Sequence, residues 1–349
     1  MRPTCYAGEE GLSRLFEAAS AGTVFAAVQG SRGPQYVNLH TEPDARFALR
    51  EPRPSASPKA FLQPIKERVA VYATTGVDAE RSSPASERRV VVGLRACDLK
   101  AIAYLDKVFQ EGSVVDPFYA ARRQADVLVS VDCMAAHETC FCTALGGRPF
   151  AEDGFDLNLT PLDGGYLVEV GSEKGAQVVE AAGDAVSPAT DEQRGQRDER
   201  RDEWVRALEA QTGGWRVSDR IQEILLSKDE AQAWGDETAA CVECAACTYI
   251  CPTCHCFYLY DQVGGEEAFE RIRTWDSCIL GDYHRMAGPA GAKPSPRPGL
   301  RTRFANRMLH KYAYSPQQYG MLGCTGCGRC IEACYGGVDI RDVLRELET

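Results

Sequence analysis

No uninterrupted apolar run in this 349-residue chain is long enough to cross a bilayer, so a membrane span is not expected. Positive charge is in short supply: 39 Lys and Arg against 50 Asp and Glu leave a formal charge of -11, which disfavours sequence-blind binding to nucleic acid. No G-x-G-x-x-G follows a strand, the GSRG at 30–33 is too short to serve as one, and G-x-x-x-x-G-K-[ST] does not occur. An obvious catalytic dyad and an H-E-x-x-H site are missing as well. Flavin, nicotinamide or a catalytic metal centre would therefore have to sit on another chain. The opening MRPTCYAGEEGLSRLFEAA lacks the continuous apolar core of a secretory signal, and a cytoplasmic protein is expected.

What the chain does contain is sulfur. At 44% apolar and 26% charged residues it reads as globular, and at this length it needs no disulfides to stay folded. Sixteen cysteines in a cytoplasmic setting then point to bound metal before they point to cross-links. Their distribution is uneven. Cys5 stands alone as an ordinary thiol, four lie between Cys97 and Cys142, seven between Cys241 and Cys278, and four between Cys324 and Cys334.

Local patterning places these groups. Residues 11–29 read as a helix followed by the strand TVFAAVQG, and the prolines of 41–60 make a rigid connector that suits neither helix nor central strand. A strand at Val90 to Gly93 leads into a helix over Leu99 to Phe109 capped by Asp98, and ADVLVSVDC gives a second short strand. Cys97 and Cys133 then emerge where strands finish, the usual ligand edge of an α/β sheet. GGYLVEVGSEKG adds a strand, residues 180–203 read as an exposed linker or the solvated start of a helix, and WRVSDRIQEILLSKDEAQAW has helical periodicity with Ser218 as its cap. The expected segments are 1–58, an α/β piece with its Pro-rich connector; 59–180, an α/β domain; 181–235, a charged linker and helix; and 236–349. The last is expected as a bacterial two-[4Fe-4S] ferredoxin-like domain with an insertion between its cysteine runs, so the fold class is α+β or α/β followed by that domain.

That expectation rests on two matching runs. Cys241, Cys244, Cys247 and Cys251 are spaced C-x2-C-x2-C-x3-C before Pro252, and Cys324, Cys327, Cys330 and Cys334 repeat the spacing, with Tyr335 in place of the proline. In the two-cluster pattern the fourth cysteine of each run serves the other cluster. One [4Fe-4S] cluster is accordingly assigned to Cys241, Cys244, Cys247 and Cys334, and the other to Cys324, Cys327, Cys330 and Cys251. Zinc and a disulfide framework are the alternatives, and two three-plus-one runs leave awkward spare thiols around zinc. Ala245, Ala246, Gly326 and Gly328 let backbone approach the cluster sulfides.

Cys97, Cys133, Cys140 and Cys142 number four, the count a further cube requires; buried inert thiols and structural zinc are the competing readings. Cys254, Cys256 and Cys278 are open between an extra metal site, with His255 as a nitrogen donor, and plain packing around the clusters. Arg301, Arg303, Arg307, His310 and Lys311 make residues 297–316 locally basic. Beside a cluster such charges raise its potential, on a surface they dock an acidic partner, and an ordinary solvated helix face has the same sequence.

VVGLRACDLKAIAYLDKVF, DCMAAHETCFCTALGG, CVECAACTYICPTCHCF, WDSC, RTRFANRMLHKYAY and GCTGCGRCIEACYGGVDI together give the chain a family likeness. It resembles the iron–sulfur electron-transfer beta subunit of cytoplasmic nickel–iron hydrogenases of the sulfhydrogenase type, a family that also includes one component of anaerobic sulfite reductase. The likeness runs from about residue 59 onward and is weak over the first 58 residues and the charged linker. It implies a relay between a flavin-containing subunit that handles NAD(P)H and either the small and large nickel–iron subunits or a sirohaem sulfite reductase subunit. It matches all eight paired-run cysteines, the N-terminal four, and Cys254, Cys256 and Cys278. Ala96, the proline-poor CMAAHETC and Tyr335 depart from the family pattern without removing a thiol. A non-redox iron–sulfur assembly or interaction module is the reading from another class.

Overall fold

The apolar runs of the N-terminal half form strands, and the amphipathic stretches between them form helices. The structure, a computed structural model, describes residues 2–19, 22–73, 79–81, 87–228, 234, 238–264, 268–286 and 295–348. Its strands in chain order are β1 (Thr4–Gly8), β2 (Thr23–Gly30), β3 (Gly33–Asn38), β4 (Lys66–Ala73), β5 (Ala79–Arg81), β6 (Arg89–Leu94), β7 (Val127–Val131), β8 (Leu157–Leu162), β9 (Gly165–Val170) and β10 (Ser187–Pro188). Helices among them are α1 (Glu9–Ala19), α2 (Lys59–Leu62), α3 (Ala96–Phe109), α4 (Pro117–Ala125), α5 (Glu173–Ala182), α6 (Asp191–Gln211) and α7 (Ile221–Ser227).

Eight strands build one sheet in the order β10-β1-β9-β8-β7-β6-β2-β3. The central β2, β6, β7 and β8 run parallel, and the flanking pairs are antiparallel. Alternation along a strand sends neighbouring side chains to opposite faces. Val90, Val92, Val127 and Val129 meet Leu15 of α1 and Val178 of α5, whereas Val91 and Leu128 meet Leu99, Ile102 and Leu105 of α3. Both faces are covered, which is why these strands read as continuous apolar runs. The helix starts slightly earlier than expected: Arg95 is its N-cap residue, and Asp98, three positions on, accepts the Arg95 backbone N–H. Gly93 (φ +95) lies at a register shift between β6 and β7, where an added Cβ would come within 2.5 Å of the Ala27 methyl. That bulge ends the strand and aims the chain toward Cys97.

The charged run expected as a linker or solvated helix start lies in α6, a helix of 21 residues. Thr190 and Gln193 cap it reciprocally. Its docking side is ionic: Arg197 and Arg201 reach Glu169, Arg201 also reaches Asp132, and Arg200 pairs with Asp163. Because charges, not an apolar stripe, hold it to the sheet, no hydrophobic period announces it.

Between the two cysteine runs the chain makes a hairpin, β11 (Phe257–Val263) and β12 (Ala268–Trp275), which continues into β4 and β5 in the order β11-β12-β4-β5. Strands from residues 59–180 and from 236–349 thus share one antiparallel sheet. The boundary expected near Asp236 lies outside the described residues. A C-terminal core joins Met308, Tyr312, Ile340 and Leu344 to Ile221 and Leu225 of α7 and to Phe141 and Leu145 from the N-terminal cysteine loop. Ser218, expected as the cap, lies two positions too early: Arg220 is the N-cap residue of α7, and Ser218 accepts its N–H. Among the described residues no helix is long and apolar enough to cross a membrane.

Candidate metal centres

The paired runs fold alike because their turn positions match. In the first, Glu243 and Ala245 take left-handed backbone (φ 55 and 61) ahead of a one-turn helix, Ala246–Tyr249. In the second, Gly326 and Gly328 occupy the equivalent positions (φ 67 and 73) ahead of Arg329–Glu332. Left-handed turns of this kind gather N–H groups into concavities that suit anionic groups, iron–sulfur cores among them. None of the sixteen cysteines is in a disulfide.

Sulfur neighbours cross from run to run. Burial raises the Cys241 thiol, and the thiols acting on it are those of Cys247, Cys334 and Cys244. Burial also raises Cys330, where Arg307 opposes and Cys251, Cys324 and Cys327 add. Cys334 thus lies near the first run and Cys251 near the second. Cys244 is exposed, as are Val242 in the same run and Tyr335 directly after Cys334, whereas Cys251, Cys324 and Cys327 are buried.

Cys97, Cys133, Cys140 and Cys142 line one cavity of about 380 Å³ of atom-free space, and Cys327 of the second run lines it too. Burial pushes the Cys133 and Cys142 thiols up to about 12, and raises Cys97 and Cys140. The loop carrying Cys140 and Cys142 is pressed against the second run: the Phe141 N–H donates to the Gly326 carbonyl at 2.8 Å, and a Cβ on Gly326 would come 2.5 Å from the Cys142 Cα. The Cys140 thiol is directed at the Cys327 carbonyl at 3.8 Å. Arg53 Nε donates to that same carbonyl at 2.6 Å while its guanidinium pairs with Glu332. Asp98, at the head of α3, pairs with Arg329 with both side chains fully buried.

Cys254, Cys256 and Cys278 also converge, on a second cavity of about 320 Å³ shared with His255, Asp276 and His310. Tyr283 donates its hydroxyl to Cys256 Sγ at 3.2 Å. Cys5 sits apart in the core on β1, its thiol raised to about 11 by burial.

The basic segment divides. Arg301 is exposed. Arg303 is buried and donates to the carbonyls of Ile279, Arg297 and Pro298 and to the Glu243 carboxylate. Lys311 is buried with Nζ 3.2 Å from Cys251 Sγ and 2.8 Å from the Gly323 carbonyl. Burial takes Arg303 and Lys311 out of reach of a partner's face. His310 is half-buried and held neutral, its pKa lowered to about 4 by burial and the neighbouring His255 and Lys311.

Sequence reasoning missed four residues around these cysteines. Arg53 and Lys59 come from the proline-rich connector, and Lys59 Nζ donates to the carbonyls of Thr248 and Cys254. Arg95 Nη2 donates to the carbonyls of Leu49 and Glu51. Glu332 receives Arg53. Nothing local marks them, since each acts across more than 40 residues of chain.

Residues 240–338, which hold both runs and the hairpin between them, match the family described as a 4Fe-4S dicluster domain. Over 259 residues the chain is 33% identical to sulfhydrogenase 2 subunit beta of Pyrococcus furiosus, an alignment covering 74% of this chain and 73% of that protein. With its mixed α/β N-terminal region and a C-terminal dicluster match, the chain belongs to the sulfhydrogenase beta-subunit family of iron–sulfur proteins.

Proposed function

We propose that this chain relays single electrons as the iron–sulfur subunit of a hydrogenase-type complex. Cys241, Cys244, Cys247 and Cys334 hold one [4Fe-4S] cluster, Cys324, Cys327, Cys330 and Cys251 a second in a ferredoxin-like arrangement, and Cys97, Cys133, Cys140 and Cys142 a third. The matched left-handed turns of the two runs, inside a stretch that matches a dicluster domain, carry the reading. The third assignment is supported by the shared cavity and by Cys327, which borders it and belongs to the second set. Bound cubes supply reversible one-electron storage.

The chain's own residues do the rest. Burial of Cys251, Cys324 and Cys327 excludes water from the second set. Lys311 and Arg307 hold positive charge against its sulfurs, which favours an added electron and raises the potential. Arg53 of the connector and Arg329, through Asp98 beside Cys97, hold the second run against the N-terminal domain, keeping the sets adjacent. No catalytic site of its own is assigned to this chain. Its partners are the small and large nickel–iron subunits and a flavin-containing, NAD(P)H-handling subunit, in the cytoplasm. The relative's name, a sulfhydrogenase subunit, favours a hydrogenase end over a sirohaem sulfite reductase.

Anaerobic purification with native partners, followed by metal analysis and EPR during stepwise reduction, tests this. Reversible iron–sulfur signals and a nickel-bearing companion are expected. Pale material without labile sulfide that still supports turnover would sink the relay, and bound cubes with no reversible signal would make the chain a non-redox module.

A further inference from the structure

Four cysteines stand outside the sets assigned above; Cys5 lies alone on β1, and the other three come together. Cys254 and Cys256 follow the first run directly, Cys278 arrives after β12, and all three line one cavity. Like the N-terminal cavity, it is lined by several cysteines together with buried basic side chains. Arg307 lines the same cavity at 4% exposure, and neither its Nε nor its Nη2 has a hydrogen-bond partner. A buried guanidinium with idle donors is costly unless an anionic acceptor lies before it. His255 donates from Nδ1 to the Thr253 carbonyl at 3.1 Å, which leaves Nε2 as its lone-pair nitrogen, the arrangement usual for a metal-binding imidazole.

A single ion does not suit the site. Zinc draws four ligands to about 2.0–2.3 Å, and among the described residues no three His, Cys, Asp or Glu side chains are gathered tightly enough to hold one ion. The same is true of the eight cysteines in the paired runs, whose spacing serves a larger group. We propose that Cys254, Cys256 and Cys278 hold a further [4Fe-4S] cluster through three thiolates, its fourth iron facing His255 or Asp276 in place of a cysteine, with the idle Arg307 donors turned to it. The site abuts the second paired set: Lys311, which lines the cavity, has its Nζ 3.2 Å from Cys251 Sγ. The inference rests on the paired-cluster reading for these surroundings.

The full-length chain, reconstituted anaerobically with ferrous iron and sulfide, is compared with Cys278→Ala, Cys254→Ser and Cys247→Ala, each checked for folding by circular dichroism. Cys278→Ala and Cys254→Ser are each expected to lose about four irons and four sulfides per chain while keeping the EPR signals of the paired clusters. Wild-type protein supplies an independent readout. A cube with one iron lacking a thiolate releases that iron as Fe²⁺ on treatment with ferricyanide, which takes one electron, and the remaining three-iron cluster has its own EPR signal. That signal is expected in wild type and absent from Cys278→Ala. Folded Cys278→Ala and Cys254→Ser with wild-type iron, or wild type giving no three-iron signal, overturn this site alone. Unchanged iron in Cys247→Ala would instead overturn the paired-cluster reading, and this one with it.

Discussion

Replacing Arg329 by methionine tests whether one buried ion pair clamps the head of α3, beside Cys97, to the second run. Arg329 Nη1 donates to Asp98 Oδ1 at 2.6 Å with both side chains 0% exposed, and Arg329 Nε donates to the Pro54 carbonyl at 3.2 Å. Asp98 Oδ2 also accepts the Arg95 backbone N–H at 3.1 Å. Methionine keeps the apolar stem but leaves Asp98 buried with that backbone donor and no cation. Removing one partner of a buried pair costs about 3–5 kcal/mol, and the lost bond to Pro54 adds about 1 kcal/mol. Arg329→Met should therefore lose on the order of 4–6 kcal/mol. Adding Asp98→Asn removes the stranded charge while an amide oxygen still caps the helix, so the double variant should recover about 2–3 kcal/mol of that loss. Anaerobic urea titrations of the full chain, followed by circular dichroism and by iron–sulfur absorbance, give the midpoints for this cycle. A loss below about 1 kcal/mol in Arg329→Met, or a double variant no better than the single, would refute the clamp.

Ala245 is buried in left-handed backbone at φ 61, so Ala245→Val should cost about 2–3 kcal/mol through β-branching there. Ala245→Gly should stay within about 1 kcal/mol of wild type, because relief of strain offsets the lost methyl and the freer unfolded chain; a large change in thermal midpoint would contradict that balance. Gly326→Ala places a methyl against the Cys142 backbone at φ +67 and should lose more than about 2 kcal/mol, with faster loss of N-terminal iron than of paired-cluster iron on chelation. Arg201→Ala strands buried Asp132, while Glu169 keeps Arg197, at a cost of about 3 kcal/mol near pH 7. Burial already raises the Asp132 carboxyl with Arg201 opposing, and losing Arg201 raises it further. A raised folded value means the penalty builds as pH climbs from the unfolded pKa through the folded one, so the variant's deficit should shrink on going from pH 7 to pH 5. A deficit that grows on acidification would reverse the argument.

Short-range spacing was legible. The C-x2-C-x2-C-x3-C runs, the strands at Val90 and Val127 and the release of Cys97 and Cys133 at strand ends all follow from neighbours a few residues apart. The helical character of 191–211 was half legible, since its caps are local but its ionic docking to Asp132 and Glu169 is not. Arg53 and Lys59 were invisible in a stretch that the prolines marked only as irregular.

By itself the sequence determined how many thiols each run presents and how they are spaced, because that depends only on residues within a few positions of one another. Only the tertiary structure decided which thiols meet. Strand order carries Cys97 and Cys133 to one sheet edge, and Gly326 and Gly328 admit the Cys140–Cys142 loop against Cys327. The return of β12 brings Cys278 to Cys254 and Cys256 beside Arg307, whose Nε and Nη2 make no hydrogen bond. Such meetings join residues up to about two hundred positions apart, and no local preference of the chain records them.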